Sequence, residues 1–128
     1  MKILKRAAWI AGILALLVCA ELVRENTAQT RGRLAAHFDV WRGHYVVLAY
    51  GLPPPTRPEY AKLLRQRYGI EVRTVALCMV SETLTSYADS YNEVSAAAAN
   101  RKFGHDVFKE CADIACAKLQ RAVQLTAE

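Results

Sequence analysis

The sequence predicts an α/β (or α+β) protein: a small βαβ unit, a long C-terminal helix after it, and an N-terminal membrane-targeting helix before it. Three observations carry this expectation. A basic leader precedes an uncharged apolar run at the N-terminus. Two runs rich in β-branched and aromatic residues, His44–Tyr50 and Ile70–Ser81, flank a stretch with helical apolar spacing. From Asn92 the residues are helix formers nearly to the end.

The first element is read from charge and length. Met1–Arg6 is basic, and Ala7–Ala20, AAWIAGILALLVCA, is 14 residues without a charge. That pairing is the pattern of a secretory signal, and Val18 and Ala20 are small enough to precede a cleavage before Glu21. Extended to Ala7–Val23 the run reaches 17 residues, about the lower bound for a spanning helix, only by including Glu21. Residues 1–23 are therefore expected to be a signal peptide or a single transmembrane anchor. If the segment stays uncleaved, the lipid bilayer is a partner through residues 7–23. The positive-inside bias then leaves the N-terminus cytoplasmic and the domain on the far side, membrane-bound or exported. Residues 24–33, RENTAQTRGR, read as a polar stalk.

Residues 34–126 form the expected α/β domain. Leu34, Phe38 and Trp41 recur at helical spacing with Ala35, as an inward face would, and Gly43 can end that helix. His44–Tyr50 is the first strand and Leu52-Pro53-Pro54-Pro55 its rigid exit. Thr56-Arg57-Pro58-Glu59 has the form of a capping box, opening a helix with Tyr60, Leu63, Leu64 and Tyr68 on one face and Gly69 as its stop. The 52–69 connection is long enough for a parallel crossover. The second strand turns from alternating to continuously apolar over Val75–Val80, so that run is expected to be the most buried, covered on both faces. Tyr60, Leu63 and Leu64 would lie on one side of it and Phe103, Val107, Phe108 and Cys111 on the other. Glu82–Tyr91 reads as a loop or strand continuation, and Ser90-Tyr91-Asn92-Glu93 as a second capping box. Gly104 is expected to split the last helix.

The charge argues against nucleic acid. Three of the 17 Lys and Arg precede the apolar run, leaving 14 against 12 Asp and Glu in residues 21–128. A part so nearly neutral has little counterion release to offer. No glycine-rich phosphate loop, paired acid and base, or nucleophile elbow occurs. No catalytic residue and no cofactor are expected.

Metal spacing is absent too: there is no CxxC or HxxxH, and His37 and Asp39, two apart on a helix, do not share a face. Cys111 and Cys116 are about 140° apart around a helix and would not bridge, so the expectation is either free thiols buried as small core hydrophobes or a disulfide from Cys78 to Cys111 or Cys116. Open α/β sheets bind ligands beyond the carboxyl ends of their strands. Parallel strands would gather Tyr50, Ser81, Glu82 and Asn92 there as a ligand site. Two strands leave sheet edges open. The favoured expectation is a small envelope protein acting as a structural or interaction module. A second copy or an envelope protein would then cover an edge. The other expectation is a small-molecule binder or enzyme working at the strand ends.

Overall fold

The computed structural model describes residues 2–126. The element order is α1 (Lys2–Trp41), β1 (Val46–Ala49), α2 (Arg57–Tyr68), β2 (Glu71–Thr74), α3 (Glu82–Phe103) and α4 (Val107–Thr126). Among the described residues the chain is mostly helical, with four helices and one two-stranded sheet. The strands are parallel, Val46 opposite Glu71 and Ala49 opposite Thr74, and α2 crosses between them as the spacing predicts.

The sheet is the middle layer. Val46 and Leu48 face one side, where they pack with Ala36 of α1 and with Ala88 and Tyr91 of α3. Val47 and Val72 face the other, against the buried cluster of Leu63, Leu64, Ile70, Ala99, Val107, Cys111 and Ala115. So α2 and α4 share one face instead of taking one each. The face expected for α4 is covered by α1 and α3.

The run Val75–Val80 is not the core. Val75 and Ala76 are half-buried, Leu77, Cys78 and Val80 are exposed, and Met79 is 91% exposed. The physical reason is that β1 ends at Ala49 and turns away through Gly51 and the prolines, so the chain after β2 has no strand neighbour beyond Val75, whose amide makes the last bond, to the Ala49 carbonyl. Lost alternation marks a strand covered on both faces only where a partner strand continues.

Helix ends follow local chemistry, with two departures. Gly69 and Gly104 both take the left-handed conformation and end α2 and α3, as glycine does without steric cost. Thr56 precedes α2, but its side chain makes no capping bond, and Glu59 instead pairs with Lys118 of α4. Ser90–Glu93 is the interior of α3, whose cap is Ser81.

α1 departs most from expectation. It runs unbroken through residues 24–33, which are not a free stalk: Ala28, Gly32 and Ala36 are buried against α3. Small residues four apart form one stripe, and at Gly32 a Cβ would collide with the Tyr87 carbonyl oxygen. Leu34, Phe38 and Trp41 therefore point outward, with the Phe38 and Trp41 rings 6.0 Å apart.

The expected membrane anchor is also corrected. Among the described residues, no helix is long and apolar enough to cross a membrane. The uncharged run of 14 residues spans about 21 Å, against roughly 30 Å of bilayer hydrocarbon. Beyond it Glu21 and Arg24 form an exposed ion pair at 2.6 Å. The membrane localisation inferred from that run loses its support.

Candidate functional site

The four residues expected at the strand ends do not converge. The Ser81 hydroxyl accepts from the Leu84 amide at 3.2 Å and serves as the cap of α3. Glu82 lies exposed in the same first turn. Asn92 is 11 residues further along α3, about 16 Å away at the helical rise. There its amide donates to the Leu48 carbonyl and accepts from the Leu48 N–H, both at 2.8 Å. Ser95, one turn on, donates to the Val46 carbonyl at 2.6 Å. These bonds are taken by the edge of β1 that faces away from β2. Asn92 and Ser95 thus stand where a third strand would, and the chain's own side chains satisfy this edge. Tyr50 donates its hydroxyl to Asp89 at 2.6 Å, and that bond raises its pKa.

A polar cluster forms where α3 gives way to α4. Asp106 caps α4, accepting from the Phe108 and Lys109 amides at 3.1 and 3.0 Å. Glu110 accepts from the Tyr68 hydroxyl at 2.8 Å, lies 2.8 Å from the His105 ring, and pairs with Arg67 at 2.7 Å. The Tyr68 hydroxyl, then His105, hold the Glu110 carboxyl below its ordinary range. Both carboxylate oxygens are committed, so the cluster acts as a clamp between α2 and α4. His105 and Asp106 beside Gly104 read in the sequence as a polar cluster at a helix break or as solvated surface, but the link to Tyr68 was not legible, because Tyr68 and Glu110 lie 42 residues apart.

Metal and disulfide chemistry find little footing. Among the described residues no group of three or more His, Cys, Asp or Glu could hold a metal ion. Asp39 is taken by the Tyr91 hydroxyl at 2.6 Å, a bond joining α1 to α3. All four cysteines are free: Cys111 is buried in the α2/α4 cluster, while Cys19, Cys78 and Cys116 are exposed. Cys78 is in the β2–α3 loop and does not meet the α4 thiols.

Two features are open to a ligand or partner. One is a cavity of about 270 Å³ between the sheet, the start of α2 and the middle of α4. The other is the N-terminal part of α1. Trp9, Ile10, Ile13, Leu14, Leu16, Leu17, Val18, Leu22 and Val23 are 52–76% exposed, on all sides of the helix. This segment leaves the folded unit at the end where α3 begins, since Ala28 and Arg31 border the same depression as Ser81 and Leu84. Leu77, Met79 and Val80, just before that start, add apolar surface at the same end. The apolar run is visible in the sequence, where it reads as a signal peptide or a membrane anchor. The sequence had no signal for the loop, because continuous apolar residues read as core. A scan against protein-family models, a search of curated proteins and a search of solved structures find no match to this chain.

Proposed function

We propose that the protein is an assembly module in which copies of the chain associate through the apolar segment of α1. The observation that carries this is the set of nine large apolar side chains between Trp9 and Val23, exposed on a helix that is apolar on every face. A helix of that kind is stable when buried, not when wet. The nine side chains offer on the order of 1,000 Å² of apolar surface, comparable to the roughly 800 Å² each partner buries in a standard interface.

The occupant argued for is a second copy. A single partner covers one face of a helix, whereas several copies of the same helix bundled together, neighbours antiparallel, cover one another on more than one face and close by symmetry. Charge supports an antiparallel arrangement. Centring two copies on the uncharged run 7–20 sets Arg6 of one opposite Glu21 of the other. Apolar Leu77 and Met79 would extend the buried area at the base of the helix.

Sedimentation of the full chain over a range of concentrations tests this. The expected result is an oligomer that the double change Ile13→Glu, Leu17→Glu converts to a folded monomer. A chain that stays monomeric throughout overturns the reading. So does a chain that floats with phosphatidylcholine vesicles instead of self-associating.

A further inference from the structure

The cavity beside the sheet is lined by no residue of α1 and has a composition of its own. Val47, Ala49 and Val72 form its floor, and Ala112 of α4 forms part of its wall. The space exists because Ala49 and Ala112 are small where β1 and α4 face each other. Cavities of about 150 Å³ hold a benzene ring. This one is nearly twice that size, at about 270 Å³.

At its rim stand Thr56, Arg57 and Tyr60 at the start of α2. The Arg57 guanidinium reaches only the Gly51 and Tyr50 carbonyls, both at a long 3.4 Å. No acidic side chain among the described residues pairs with it. Glu59, the nearest carboxylate in sequence, is paired with Lys118 and leaves the cation uncompensated. A planar guanidinium with free donors beside an apolar hole selects an anion, and a flat carboxylate matches its fork. Helix α2 also begins here, and its positive end favours the same charge.

We propose that this cavity binds a small carboxylate with an apolar body, a medium-chain fatty acid, with its tail on the sheet and its head group on Arg57. Tyr60 adds a hydroxyl that stays protonated at neutral pH, burial having pushed it up to about 12. A phosphate or a dinucleotide would find one cation and no polar cradle. A purely apolar guest would leave the guanidinium facing it unsatisfied. Cys116 is exposed at the mouth and would be shielded by a seated ligand.

The test uses the full chain with octanoate and, as the uncharged control, 1-octanol. Amide chemical shifts should move on octanoate addition at Val47, Ala49, Val72 and Ala112. Arg57→Gln should weaken octanoate by about tenfold or more, the size of a lost charge-assisted hydrogen bond, and change octanol little. Ala112→Leu, which fills the cavity, should abolish binding. Alkylation of Cys116 by iodoacetamide, read peptide by peptide, should slow with octanoate while Cys78 is unaffected. That readout needs no variant and decides the matter if Ala112→Leu does not fold. The proposal is overturned if octanoate and octanol bind alike, if the shifts are confined to residues 9–23, or if Cys116 is not protected. None of these outcomes depends on whether copies associate through α1.

Discussion

Asn92 shows how much one side chain can carry. Its amide reproduces the donor and acceptor of a neighbouring strand, so the Leu48 backbone is satisfied on an edge with no strand beside it. Replacing it with leucine keeps the size and removes both partners. Each orphaned backbone group then costs roughly 1–3 kcal/mol. Asn92→Leu is expected to lower the midpoint of urea unfolding accordingly, and to expose the Leu48 amide to fast hydrogen exchange. Unchanged exchange at Leu48 would show that the bond does not form in solution. The sequence named Asn92 but for a different task. A polar residue late in a helix-forming stretch looks the same whether it meets a ligand or a strand edge. Only the approach of α3 to β1, 44 residues apart, separates the two readings.

At the scale of elements the seam between α1 and α3 decides the architecture. Ala28, Gly32 and Ala36 let the two helices come close enough for the Gly32 Cα to lie against the Tyr87 carbonyl. Alanine at 32 is the better helix former by about 1 kcal/mol. It is nevertheless expected to destabilise, because backbone meets backbone there and neither can yield. Overpacking of this kind costs typically 1–3 kcal/mol. A thermal melt of Gly32→Ala should show a lower midpoint, and a raised one would place α1 farther from α3. The element order beyond α1 was legible: strand, crossover helix ended by Gly69, parallel strand, and a helix break at Gly104. These signals are local, a left-handed glycine or a change of period. The direction α1 faces was not legible, because Leu34, Phe38 and Trp41 form the more apolar stripe. Large apolar residues win the burial argument only when nothing competes for closeness. Here three small residues do.

Over the whole molecule, two polar ties hold α2 to α4, one at each end of α2: Glu110 with Tyr68 and Arg67, beside His105, and Glu59 with Lys118. Hydrogen bonds from Tyr68 and Lys118 lower the pKa of Glu110 and Glu59 respectively. A carboxylate with a depressed folded pKa contributes stability that is present above its unfolded value and lost as pH falls through the folded one. Stability is therefore expected to decline below about pH 4.3, the ordinary range of a glutamate. Glu110→Gln should flatten that decline while lowering stability at neutral pH. If the variant and the parent lose stability in parallel between neutral pH and pH 3, the clamp is not coupled to folding. The links of these ties from α2 to α4 were not legible in the sequence, because Tyr68 and Glu110 lie 42 residues apart and Glu59 and Lys118 lie 59 apart. The candidate site was legible only in its raw materials, an unusual apolar run and an arginine opening a helix.

The sealing of β1 by α3 also bears on the order in which the chain acquires its shape. A two-stranded parallel sheet is marginal alone, and here three backbone bonds of β1 come from side chains 44 to 49 residues downstream. Neither strand has reason to persist until α3 has closed a loop of that length and docked. During synthesis, β1, α2 and β2 emerge before their closing element exists, so they wait unpaired. The sheet, though central in space and early in sequence, then becomes permanent only once α3 has docked.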